Sequence, residues 1–101
     1  MEIFKWIENW YLSNCDGDWE HSYGVKITTL DNPGWSVKID LEGTELEGLI
    51  IEYLLVEKSD NDWYGYKIEN NVFEGAGDSG KLEFLLEKFR QIVMNYKTNP
   101  V

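Results

Sequence analysis

The apolar positions of this chain change period twice. Over residues 2–14 they recur at three- and four-residue spacing: Ile3, Trp6, Ile7, Trp10 and Tyr11 form one stripe, and Glu2, Lys5, Glu8 and Asn9 lie on the other side. That spacing matches the helical repeat and predicts an amphipathic helix. Asn14–Gly17 ends it, because Gly17 suits a chain reversal. From Val25 the period falls to two. Val25–Leu30 is β-branched, and in Trp35–Leu41 the residues Trp35, Val37, Ile39 and Leu41 face one way while Ser36, Lys38 and Asp40 face the other. The intervening Asp31-Asn32-Pro33-Gly34 is a turn sequence, so the two runs are expected to pair as a hairpin.

Two more strands follow. Ile50–Glu57 is partly apolar on both faces; Trp63–Ile68 puts Tyr64, Tyr66 and Ile68 on one face and Trp63 on the other, with Ser59–Asp62 as the link. A short fifth strand is expected near Val72–Glu74, and Gly75–Gly80 reads as a glycine-rich break. Helical spacing then returns from Lys81 to Tyr96, where Leu82, Leu85, Leu86, Phe89, Ile92, Val93 and Tyr96 form the stripe and Pro100 lies beyond the end.

This order predicts a single α+β domain over residues 1–101. It has two layers: an antiparallel sheet of four to five strands, flanked by an N-terminal and a C-terminal helix. Short links favour a meander. The helices would cover one face and leave the other open, which an antiparallel sheet tolerates. At 101 residues and 43% hydrophobic, the chain can bury a core without disulfides or metals. Cys15 is the sole cysteine, which fits a reducing compartment. The N-terminus lacks the basic start and apolar run of a secretion signal. No apolar run is long enough to span a bilayer. A cytosolic protein is expected.

Charge narrows the partners. The net charge is −10, from 19 Asp and Glu against nine Lys and Arg. Such a surface repels phosphate backbones and anionic membranes, so neither nucleic acid nor membrane is an expected partner. It favours a basic protein and would speed encounter with one.

The densest polar cluster is Asp16-Gly17-Asp18-Trp19-Glu20-His21. It fails as a calcium loop: counted from Asp16, the sixth position is His21 and the twelfth Ile27, where glycine and glutamate are required. No second His or Cys stands at transition-metal spacing. A small metal-dependent hydrolase using Asp16, Asp18 and His21 is the enzymatic alternative, and Cys15 with His21 is a formal nucleophile–base pair. Gly75-Ala76-Gly77-Asp78-Ser79-Gly80-Lys81 matches two phosphate-loop patterns literally, yet Leu82 stands where a Ser or Thr is needed and no strand follows to build a β-α-β unit. Asp78 or Ser79 is expected to cap the following helix instead. No enzyme activity, cofactor or metal is expected.

Trp6, Trp10 and Trp35 lie on apolar stripes and are expected in the core. Trp19 and Trp63 are flanked by acids (Asp18 and Glu20; Asp62). Each could be a solvent-facing anchor for a protein partner or could fold back on the core edge. The contact residues expected on chemical grounds are Asp16, Asp18, Trp19, Glu20, His21, Asp62 and Trp63: the acids to pair with Lys or Arg, the indoles to anchor.

The run Trp6-Ile7-Glu8-Asn9-Trp10-Tyr11, then Cys15 through His21, then Gly24-Val25-Lys26-Ile27 and Leu30 through Trp35, resembles the immunity protein 53 family. Asp40-Leu41, Asn61-Asp62-Trp63 and Phe73-Glu74-Gly75 continue the likeness, which covers roughly residues 5 to 95. The resemblance implies a cytosolic bacterial antitoxin of a polymorphic-toxin system, which captures a cognate secreted toxin domain stoichiometrically. An acidic, aromatic-bearing surface would suit a basic nuclease toxin. The domain is expected as a monomer or weak homodimer; a self-associating regulatory domain, joined through the open sheet face, is a third reading.

Overall fold

The computed structural model describes residues 2–98. Helix α1 spans Ile3–Asn14, a short α2 Trp19–Ser22, then come strands β1 Val25–Leu30, β2 Gly34–Asp40, β3 Ile51–Ser59, β4 Asp62–Glu69 and β5 Val72–Asp78, and helix α3 Leu82–Thr98. The architecture is the expected α+β one: a five-stranded antiparallel sheet with an N-terminal and a C-terminal helix. Pro100 lies outside the described residues.

Local chemistry explains the elements. The Glu2 carboxylate accepts from the Phe4 and Lys5 N–H groups and so caps α1. That helix buries Ile3, Ile7 and Trp10. Asn70 and Asn71 both take positive φ, 54° and 60°, which makes the tight two-residue turn between β4 and β5.

The strand order is β1-β2-β5-β4-β3, not the expected meander. β2 does not pair with β3. The segment 41–50 crosses the end of the sheet, tied down where Asn71 accepts from Leu41 and Gly48 through its carbonyl and side-chain oxygens. Leu41 and Leu46 are fully buried along the way, so apolar burial drives the crossing. The last strand thereby becomes the central one.

A second correction concerns Gly75–Gly80. The expected break is largely strand: β5 continues to Asp78, with Gly75 opposite Val37 and Tyr66, and Gly77 opposite Trp35 and Tyr64. Small residues suit these positions because α3 lies against this strand. A Cβ on Gly75 would meet Leu85 and the Phe73 ring at 3.2 Å, and one on Gly77 would meet the Lys81 Cβ at 2.7 Å.

The covered sheet face carries Val37, Ile39, Ile68 and Phe73, packed against Leu85, Leu86, Phe89 and Val93 of α3. Phe89 sits at the hub, with ring centroids 5.0 Å from Trp10 and 5.2 Å from Phe73, both edge-on. Each such aromatic contributes ~1.5–3 kcal/mol by burial. Of the three indoles expected inside, Trp10 is buried, whereas Trp6 and Trp35 reach only the margin and stay half-buried. Trp35 stops there because its indole N–H donates to the Ser79 carbonyl at the sheet's end. The opposite face remains open and carries Ser36, Lys38, Gly65, Lys67, Glu74 and Ala76 around a shallow depression beside Tyr53.

Candidate functional site

The structure separates the expected contact residues into two groups. Asp16–His21 lies near the Asp40 end of β2, where the Gly24 N–H donates to the Asp40 carboxylate. Asp62 and Trp63 open β4, which pairs with β5 near the Gly34 end. The two ends of β2 are about 20 Å apart along a seven-residue strand. No local sequence signal marks this separation, because it depends on β5 lying between β2 and β4.

Within the first group the acids serve local structure. The Asp16 carboxylate accepts from the Asp18 and Trp19 N–H groups, both at 2.9 Å. The Glu20 carboxylate reaches back to the Asp16 and Gly17 N–H groups at 3.0 and 2.8 Å. This reciprocal arrangement caps α2. It holds Asp16 below the ordinary carboxylate range through the Trp19 and Asp18 N–H groups, and Glu20 likewise through its own N–H and those of Asp16 and Gly17.

Trp19 is not a solvent-facing ring. It is 7% exposed, and its indole N–H donates to the Glu42 carbonyl at 2.7 Å. Trp10 meets it edge-on at 6.3 Å, and Tyr11 and Tyr23 flank it. The ring folds back because a large apolar side chain beside a four-residue helix has the α1 surface to bury against. Asp18 and His21 remain exposed on the outside of the turn. The Cys15 thiol donates to the Tyr11 carbonyl at 3.3 Å and closes the end of α1.

Sequence reasoning missed the neighbour of this loop. The segment 40–49 packs beside it, through Glu42 and through Gly43 at the Trp19 ring. Together, residues 16–24 and 40–49 hold Asp16, Asp18, Glu20, Asp40, Glu42, Glu45 and Glu47 and neither Lys nor Arg. Glu47 accepts from the Gly43 N–H at 3.0 Å, and the closeness of its carboxylate to that of Glu42 holds Glu42 above and Glu47 below the usual range. The available signal was the run 39–57, which contains no Lys or Arg.

At the opposite end, Asp62 and Asp78 grip the Lys81 ammonium at 2.8 and 2.6 Å. Asp78 is buried and also accepts from the Trp63 and Gly80 N–H groups. Lys81, with those two backbone donors, holds its pKa at about 2. Trp63 is half-buried in a depression of about 480 Å³ lined by Asn32, Leu55, Glu57 and Asp60. The Trp63 indole thus lies between the two alternatives, half-buried beside Glu57 and Asp60, while Asp62 holds Lys81. The phosphate-loop resemblance has no structural counterpart, since its first four residues are strand and Asp78 holds Lys81. Among the described residues no three His, Cys, Asp or Glu side chains converge on a point that could hold a metal, and no helix is long and apolar enough to cross a membrane.

One sheet with an open face, an end built from two acid-rich segments and a carboxylate-rimmed indole define a domain whose distinctive chemistry lies on its surface. The family model for immunity protein 53 matches residues 4–94, nearly the whole chain, and the chain belongs to that family. It is therefore an immunity protein, of a class whose partner is a cognate toxin. No match was found among curated proteins or solved structures.

Proposed function

We propose that this immunity protein acts in the cytosol and neutralises its toxin by stoichiometric capture, and that the toxin is basic, as a nuclease active site would be. The observation that carries this reading is the acidic end, where the segments 16–24 and 40–49 meet and hold seven Asp and Glu but neither Lys nor Arg. A positive surface would be steered to it and held. Asp16, Asp18, Glu20 and His21 form its loop, with Trp19 as the buried support that fixes the loop's shape. Asp62 and Trp63 form a second contact region at the far end, reached by a partner that spans the sheet. A non-catalytic role follows from the same reading. The hydrolase alternative gains no support, because Asp16 is engaged with backbone N–H groups.

The test is stopped-flow and calorimetric titration with the cognate toxin domain. Asp18→Lys should lower the association rate and weaken binding by roughly tenfold or more, with the effect shrinking at high salt. Trp63→Ala should weaken binding by a comparable factor and speed dissociation, because a large ring seated against a partner carries a disproportionate share of the energy of its contact region. Unchanged affinity in both variants would remove both surfaces from the interface.

A further inference from the structure

Strand register builds the depression beside Trp63. The ladder sets Glu57 directly opposite Trp63, and Leu55 opposite Gly65. Cross-strand partners share a sheet face, as do residues two apart on one strand. Trp63, Glu57 and Leu55 therefore crowd one corner of the open face. Asp60 joins them from the β3–β4 turn and Asn32 from the β1–β2 turn, around a space of about 480 Å³. This corner is unbalanced in charge. The Glu57 and Asp60 carboxylates are exposed and meet no cation among the described residues. Lys81 does not serve them, because Asp62 and Asp78 hold its ammonium. Lys58, next to Glu57 in the chain, does not line the depression.

We propose that this depression is a guanidinium seat, which takes an arginine side chain of the toxin. The toxin as supplier rests on the capture proposed above; the guanidinium rests on the site itself. An indole attracts a cation to its face more strongly than any other aromatic side chain does. Guanidinium is flat, so it can lie against the ring and still direct N–H groups sideways to carboxylates at the rim. Leu55 gives the apolar stem of such a side chain something to cover. An ammonium is a compact, strongly hydrated point charge and gains less from a flat wall. A metal ion fits worse, because no three His, Cys, Asp or Glu side chains converge among the described residues. Two exposed carboxylates alone would hold a cation weakly. The ring set opposite Glu57 is what turns them into a site with a preferred occupant.

N-acetyl-arginine amide, whose sole charge is the guanidinium, tests the seat without the toxin. Titrated into the isotope-labelled chain, it should shift the Trp63 indole N–H resonance, identified by its loss in Trp63→Phe, and saturate at millimolar ligand. N-acetyl-lysine amide should bind roughly fivefold more weakly. Glu57→Gln combined with Asp60→Asn should weaken the arginine compound by about the same factor. Both acids are exposed, so the double variant should keep the wild-type circular dichroism. A Trp63 resonance that stays still overturns the inference. So does a lysine compound that binds as well as the arginine one, or a double variant that binds as wild type does. Against the toxin domain, the double variant should weaken capture by roughly tenfold. If Trp63→Ala weakens capture while the arginine compound leaves Trp63 unmoved, the seat is refuted and the capture reading stands. If the compound binds at Trp63 and toxin affinity is the same in both variants, the seat stands and the toxin is not its supplier.

Discussion

Lys81 and Asp78 stand 2.6 Å apart across the turn that leads from the central strand into the C-terminal helix. The pair fixes the direction in which α3 leaves the sheet. Asp78 is buried and Lys81 mostly so, so neither is screened as a surface pair would be.

Asp78→Asn should therefore destabilise the protein by about 2 kcal/mol at neutral pH. The Asp78 pKa is depressed to about 2 from the ordinary 3.8. A depressed carboxylate stabilises the fold above its unfolded pKa, and that stability is lost as pH falls through the folded value. The gap between wild type and variant should hold at pH 7, narrow below about pH 4 and nearly close by about pH 2. Urea unfolding across that range measures it.

The two central indoles allow a paired comparison. Trp19 donates to Glu42, whereas the Trp10 N–H is buried with no partner among the described residues. Trp19→Phe leaves a carbonyl unpaired; Trp10→Phe removes an unpaired donor. Trp19→Phe should cost ~1 kcal/mol more than Trp10→Phe in denaturant unfolding. Equal losses would mean that packing alone decides at both sites.

Glycines along the β2·β5 seam should differ in tolerance. A Cβ on Gly34 would collide with the Gly77 backbone carbonyl, while one on Gly75 would press on the ends of the Leu85 and Phe73 side chains. Backbone cannot step aside as side chains can. Gly34→Ala should cost about 3 kcal/mol and Gly75→Ala about 1 kcal/mol. Thermal melts would rank them.

Loop acids should separate by role. Asp16→Ala removes the acceptor for two N–H groups that cap α2, and it should lower the urea midpoint clearly. Asp18→Ala, on the outside of the same turn, should leave that midpoint where it is in wild type. A double Asp16/Asp18 reversal would thus mix folding with binding, and Asp18 alone is the clean probe of a toxin contact.

The sequence carried the elements better than their arrangement. The stripe from Ile3 to Trp10 and the alternation from Trp35 to Leu41 are local signals, and both elements form where they predict. The strand from Val72 to Asp78 is longer than its pattern predicts because Gly75 and Gly77 carry no strand preference; they are there to admit a helix, a demand visible only once Leu85 and Lys81 lie above them. The meander failed because Leu41 and Leu46 gain more by burial than β2 would by taking β3 as its neighbour. At the candidate site the acids were legible but their duties were not. Asp16 and Glu20 are four residues apart, one more than a reciprocal cap's usual spacing, so their backbone bonds were not signalled, and Trp19 between them is drawn inward. The acids of 40–49 joined the same end only through the crossing segment.

Placing the last-made strand in the middle has a consequence during synthesis. Until residues 72–78 leave the ribosome, the hairpin of β1 and β2 and the hairpin of β3 and β4 have no shared border. Each would hold an uncovered apolar side while the chain waits, and neither half could be released early without baring it. The domain should thus close in one late, cooperative step, as β5 and α3 arrive together. Separately expressed halves, cut in the segment 41–50, would be expected to find each other and rebuild the sheet along that single border.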